Sequence, residues 1–260
     1  MFRSLHIAAT GMAAQEAQLD AISNNLANAN TVGYKKVRAD FQDLVYQTIR
    51  APGARTSANA TAPTGLQVGS GVRIVATSRQ FEQGAIENTG NPLDLAVEGN
   101  GFFVVQQPDG TAAYTRSGTL KTDGQGRLVT SEGMPLEPPI VIPPDSTGLT
   151  IGSDGTVSVG NKNGGSVQIG QIQLASFVNP AGLAASGHNL LTLSAASGDP
   201  QVGNPGRDGR GTLLQGSVEH ANVEVVQEMI GLISAQRGYE VNSKVISAAD
   251  EMLQNATQIR

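Results

Sequence analysis

The run Asn24-Asn25-Leu26-Ala27-Asn28-Ala29-Asn30-Thr31-Val32-Gly33 closes a helical pattern and opens everything that follows it. Asparagine side chains compete for backbone hydrogen bonds and tolerate left-handed geometry, and Gly33 is a natural terminator, so the first helix is expected to end here. Upstream, apolar or small residues recur at Leu5, Ala8, Met12, Leu19, Ile22 and Leu26 in a 3-4 alternation whose single polar seam position is Gln15. That is a heptad stripe. At the other end Val225, Leu232, Tyr239, Ile246 and Leu253 fall seven residues apart, and Val226, Met229, Ile230, Ile233, Val245, Met252 and Ile259 widen the face. This segment also reads as a helix. Two amphipathic helices can serve the core of one domain, or pair with one another and with copies in neighbouring chains. Their position at the two ends of the sequence favours the second reading.

Between them the pattern changes. Lys35 to Arg50 places apolar residues at Val37, Phe41, Leu44, Val45 and Ile49, which fits a helix or an extended segment. Ala51 to Gly71 carries one charge, Arg55, among Ala, Thr, Ser, Gly and Pro, the composition of a linker or of an arm that gains order against a partner. From Val72 to about Val218 short β-branched or aromatic runs predominate, such as Phe102-Phe103-Val104-Val105 and Leu93-Asp94-Leu95-Ala96-Val97. Asp109-Gly110, Asp123-Gly124 and Asp154-Gly155 lie between such runs and predict tight hairpins in which both residues accept positive φ. Pro138-Pro139 and Pro143-Pro144 bracket Ile140-Val141-Ile142 and confine it to a sheet edge.

Composition narrows the function. There is no cysteine, which excludes disulfides, thiolate metal sites and a cysteine nucleophile. With 17 Lys+Arg against 22 Asp+Glu, a net charge of -5 and no long basic run, capture of nucleic acid is not expected. Charged residues make up 15% of the chain where about 25% is ordinary, as suits a surface covered by other subunits. Tryptophan is absent and aromatics are 4%, too few to line a large sugar or cofactor pocket. No cleavable signal pattern opens the sequence, because Thr10, Gln15, Glu16 and Gln18 interrupt any apolar run. No window is apolar for long enough to predict membrane insertion.

Catalytic signatures are missing as well. The three histidines, His6, His188 and His220, lack metal-ligand spacing, and no Gly-x-Ser-x-Gly elbow or dinucleotide fingerprint occurs. No catalytic, cofactor or metal site is predicted. A carbohydrate-active β protein is the rival from another class, with carboxylate pairs available among Glu82, Glu87, Asp94 and Glu98. Heptad-patterned terminal helices would serve a polymerising subunit and have no use in such an enzyme.

The segment Asn24 to Lys35 after an amphipathic helix resembles the signature of bacterial flagellar rod and hook proteins, carried by Asn24, Asn25, Leu26, Ala27, Asn28, Thr31, Gly33 and Tyr34. Gln236-Arg237-Gly238-Tyr239-Glu240-Val241-Asn242-Ser243-Lys244 and Asp250 to Gln254 resemble the C-terminal signature of the same family. Asp43 to Ala54, Gly65-Leu66-Gln67-Val68-Gly69 and Gly99-Asn100-Gly101-Phe102-Phe103 are similar in order and spacing to its distal-rod branch.

The resemblance implies an α+β subunit: paired N- and C-terminal helices forming a coiled-coil layer that lines a channel (residues 1–38 with 219–260), an extended arm (39–71), and an outer, mainly antiparallel β domain (72–218). It implies a structural subunit, without enzymatic activity, that polymerises helically into a rigid hollow drive shaft carrying torque from motor to hook; hook and proximal-rod subunits are the alternative. Implied partners are copies of the chain, proximal rod and hook subunits, the peptidoglycan and outer-membrane ring proteins, and the flagellar type III export apparatus. The implied location is the basal body across the periplasm. The expected assembly seam is Leu5, Met12, Leu19, Ile22 and Leu26 with Val225, Leu232, Tyr239, Ile246 and Leu253. Tyr46 to Pro63, including Arg50 and Pro52, is expected to stiffen the tube. Gly238 stands where relatives commonly have Ala, an expected loss of roughly 0.8–1 kcal/mol of helix stability. Glu219, Glu224, Glu228, Glu240, Asp250 and Glu251 outnumber Arg237, Lys244 and Arg260 and are expected on the outer, hydrated face of the last helix.

Overall fold

The computed structural model of the chain describes residues 2–53, 55–57, 60–61, 63–161 and 165–258. Helix α1 spans Phe2–Ala27 and helix α2 spans Val225–Gln258, with strands between them, an α+β architecture. The chain divides into two compact units: residues 1–26, 37–78 and 224–260 form one, and residues 27–36 and 79–223 the other. The sequence expectation placed its divisions at 38, 71 and 218.

In the first unit the helices are joined by short strand pairs, Val37–Asp43 with Val72–Arg79 and Gln47–Arg50 with Leu66–Val68. Of the two conformations open to residues 35–50, the extended one is adopted. The reason lies in who takes the backbone hydrogen bonds: Asn25 holds both the N–H and the carbonyl of Val37, and the Leu44 N–H donates to Gly71 at 2.9 Å. Gly71 has φ +113, and a Cβ there would lie 2.2 Å from Thr10 Oγ1 on α1, so only glycine lets this turn approach the helix.

The second unit is built on a six-stranded antiparallel sheet in the order Ala184–Gly187, Leu190–Thr192, Ala112–Thr115, Phe102–Gln106, Leu174–Ser176, Gln201–Gly203. Phe102 to Val105 reads as a continuous apolar run because both faces of the strand are buried there. Phe103 and Val105 enter a core with Leu95, Val97, Ile172 and Leu174, while Phe102 and Val104 pack with Tyr114, Ala175 and Leu191. On the latter face Phe102 meets Phe81 and Phe177 edge-on at 5.4 and 5.7 Å between centroids. A three-stranded sheet, Gly148–Ile151, Thr156–Gly160 and Ser166–Gln171, completes the layer that carries Ile151 and Val157 into the first core.

The three Asp-Gly hairpins form, by a different device from the one expected. Positive φ belongs to glycine alone, at Gly110 (+83) and Gly155 (+86); at Asp123-Gly124 neither residue adopts it and it falls on Gly126 (+78). Each aspartate instead accepts the N–H two residues on: Thr111 to Asp109, Gln125 to Asp123 and Thr156 to Asp154, at 2.8–3.0 Å. All three carboxyls are held below the usual aspartate range, chiefly by the Thr111 hydroxyl at Asp109, the Arg127 backbone N–H at Asp123 and the Thr156 backbone N–H at Asp154.

Candidate assembly surfaces

In the first unit α1 and α2 run antiparallel, and their closest approach is made by small and polar residues. An ideal Cβ on Gly11 would sit 2.9 Å from Asn242 Nδ2, one on Gly238 3.0 Å from Gln15 Cδ, and one on Gly231 3.2 Å from Ile22 Cδ1. Asn25 Nδ2 donates to Glu228 Oε2 at 3.3 Å. Steps of four, seven and three residues along α1 are matched by the same steps back along α2. Ala8, Ala14, Ala235 and Ala249 are buried beside these contacts. Of the expected seam residues Ile22 is buried; Leu5, Met12, Leu19, Leu26, Leu232, Ile246 and Leu253 are half-buried; Val225 and Tyr239 are exposed. Gly11, Ala235, Asn242 and Ala249 were missed because a hydrophobic-periodicity reading gives no weight to small or amide side chains. The seat that Gly238 offers Gln15 explains why a helix-weakening residue stands there.

Much of α2 remains uncovered. Val226, Met229, Ile230, Ile233, Val241 and Met252 are each more than half exposed. A solvated helix seldom shows so many large apolar side chains without a surface to meet them.

The asparagine-rich motif does more than end a helix. Asn25, 2% exposed, accepts the Val37 N–H at 2.8 Å on Oδ1 and donates from Nδ2 to the Val37 carbonyl at 2.9 Å, so one side chain stands in for a strand partner. In the second unit Gly33 donates its N–H to the Glu219 carbonyl at 2.8 Å with φ +72, and a Cβ would fall 2.6 Å from the Ser117 nitrogen. Tyr34 is buried. Lys35 Nζ lies 2.6 Å from Glu219 Oε1 and donates to the Glu82 carbonyl, while Arg116 Nε lies 3.0 Å from Glu219 Oε2.

Glu219, expected on the outer face of the last helix, is therefore in the strand Ser217–Glu219 and fully buried. Helix α2 starts only at Val225. Burial pushes Lys35 below its usual range against the pull of Glu219, and lowers Arg116 in the same way. The Arg116 guanidinium also binds the carbonyls of Gly99 and Gly101 and stacks 5.8 Å from the Phe102 ring centroid, which ties down the Gly99-Asn100-Gly101-Phe102 segment.

The arm lies in the first unit. Tyr46 rests on Gly69, whose ideal Cβ would be 3.5 Å from the ring; Arg50 pairs with Leu66; Pro52 meets Gly65; Pro63 is exposed. Arg3 on α1 donates to Gln47 at 2.9 Å. Val45, Tyr46, Ile49 and Leu66 are exposed, an apolar strip on a ribbon with little core of its own. His188 and His220 face Glu132 and Glu87 at the surface of the second unit, and among the described residues no group of three or more His, Asp or Glu could hold a metal ion.

Three family models match the chain: the flagella basal body rod protein model at residues 5–35, the flagellar hook protein FlgE/F/G D1 domain at 96–159, and the flagellar basal body rod FlgEFG protein C-terminal model at 214–259. The chain is 47% identical over 260 residues to the flagellar basal-body rod protein FlgG of Buchnera aphidicola subsp. Schizaphis graminum, covering 100% of both chains. It is 48% identical over 262 residues to that of Caulobacter vibrioides, covering 99% of both. Against the flagellar hook-basal body complex protein FlhP of Bacillus subtilis identity is 31% over 273 residues, again covering 100% of both.

Proposed function

We propose, for a chain that belongs to the flagellar basal-body rod protein family, that it is a structural subunit of the distal rod, polymerising helically into a rigid hollow shaft that carries torque from motor to hook. The observation that carries this reading is the likeness over the full chain, from the asparagine motif to the last helix, at 47% identity. Its physical support is the apolar surface that α2 leaves uncovered, for which further copies of the same helices are a fitting cover. On this reading the units divide the labour. The helices with the arm make subunit contacts, and the second unit, with its own buried core, is a shell that needs no neighbour to fold. Proximal rod and hook subunits would sit at the two ends of the tube, ring proteins would surround it, and the type III export apparatus would deliver the chain across the envelope without signal cleavage. No catalytic step is assigned.

Leu19 and Ile246 are half-buried in the single chain, so a neighbouring copy would complete their burial. Fully burying a side chain of this size contributes roughly 1.5–3 kcal/mol, and a carboxylate in its place costs several more. Leu19→Asp and Ile246→Asp are therefore expected to abolish sedimentable polymer while circular dichroism still reports a folded β unit. Variants that polymerise like the parent would remove the helices from the seam.

A further inference from the structure

We infer that Gly11 with Gln15 on α1, and Gly238 with Asn242 on α2, form a reciprocal lock that fixes the antiparallel register of the two terminal helices. The two helices carry the same device at the same spacing: Gly11-Met12-Ala13-Ala14-Gln15 and Gly238-Tyr239-Glu240-Val241-Asn242, a glycine followed four residues later by a carboxamide. Run antiparallel, the two motifs are complementary. Asn242 sits on Gly11, 2.9 Å from an ideal Cβ, and Gln15 sits on Gly238, 3.0 Å from one, so each carboxamide occupies the space that the opposite glycine leaves open. Gln15 and Asn242 are both half-buried, and the Asn25–Glu228 hydrogen bond at 3.3 Å lies in the same register.

A lock is needed because the apolar stripe does not define register by itself. Leu19, Ile246 and their neighbours repeat at seven, so a slip of one heptad sets apolar residues against apolar residues again. The glycine–carboxamide pairs break that degeneracy. A seven-residue slip in one direction brings Gln15 onto branched Val245 and Asn242 onto Gln18. The opposite slip sets Gln15 on Gly231, a second glycine seat, but takes Asn242 off Gly11 onto Ser4 and moves Asn25 away from Glu228, so there the selection rests on the Asn242 seat and the Asn25 hydrogen bond. Polar seam positions that select one pairing at some cost in stability are the best-attested use of such residues. The consequence reaches outward: once the register is fixed, so are the residues of α2 that face away from α1.

The test uses the absence of cysteine in the parent chain and needs no polymer, so it stands apart from the rod assignment. Cysteines replace Ala8 and Val245, which oppose each other in the observed register, or Ala8 and Met252, which oppose each other after a one-heptad slip. The disulfide rate in soluble full-length chain is followed as a fast-migrating band on non-reducing gels. The 8–245 pair is expected to close at least tenfold faster than the 8–252 pair. Adding Gln15→Leu with Asn242→Leu is expected to bring this ratio toward one. Gly11→Ala with Gly238→Ala guards against a leucine variant that fails to fold: it fills both seats, raises helix content by circular dichroism, and is expected to lower the same ratio. Equal rates in the parent, or an undiminished ratio in the variants that fold, would overturn the lock.

Discussion

Replacing Glu219 by glutamine is expected to be the most damaging single-atom change in the β unit. Glu219 is fully buried with Lys35 Nζ at 2.6 Å, Arg116 Nε at 3.0 Å and the Gly84 N–H donating at 2.9 Å. Two cations thus share one carboxylate, and the cluster carries an excess positive charge even in the parent. Glu219→Gln leaves both cations buried without a counter-charge, a class of change that costs roughly 3–5 kcal/mol. Lys35→Met leaves Glu219 and Arg116 as a balanced pair and loses two hydrogen bonds, to the Glu82 carbonyl and to Glu219 Oε1, which keeps the Gly84 N–H. It is expected to stay within about 1.5 kcal/mol of the parent. At roughly 2–4 °C per kcal/mol for a unit of this size, the glutamine variant melts about 6–20 °C lower and the methionine variant only a few degrees. Thermal unfolding of the two variants beside the parent, followed by far-ultraviolet circular dichroism, measures the asymmetry. Equal losses would refute the argument, since it predicts that charge balance, rather than the number of partners removed, decides the outcome.

The same cluster has a pH signature. Burial holds Lys35 below its ordinary 10.5, so between its folded value and 10.5 the unfolded chain binds more protons, and the cost of burying the ammonium is relieved as pH rises through that window. Urea midpoints of the parent relative to Lys35→Met are expected to move in the parent's favour on going from pH 7 to pH 10.5, and movement the other way would contradict the desolvation account. Deleting residues 46–63 removes the exposed Tyr46 and Ile49 and leaves the second unit's core untouched, so filaments are expected to form but to bend. Electron microscopy of the deletion scores this, and straight filaments would count against a stiffening role.

Legibility in the sequence followed the strength of the local signal. The long heptad patterns gave both helices, and Phe102-Phe103-Val104-Val105 gave a central strand, because each pattern records its own burial directly. Residues 35–50 were ambiguous for a physical reason: the apolar spacing suits a helix, while the decisive hydrogen bonds come from Asn25 and Gly71, which lie outside the segment on either side. Glu219 illustrates the opposite failure. An acidic residue near a helix reads as solvated, and only the tertiary structure brings Lys35 and Arg116 to it. The glycine–carboxamide contacts were invisible to a search for apolar residues, although the motif that makes them stands once on each terminal helix. Periodicity gives a face and does not name its partner, so what the helices meet outside the chain could not be read from the stripe.

Electron microscopy of the purified full-length chain under assembly conditions tests the central claim most directly, because a rod subunit must build a rod from copies of itself. The account predicts straight hollow tubes whose inner layer is helical and whose outer layer is the β unit. Curved tubes would move the chain to the hook branch of its family, and a protein that stays monomeric under conditions that keep both helices folded would contradict the account.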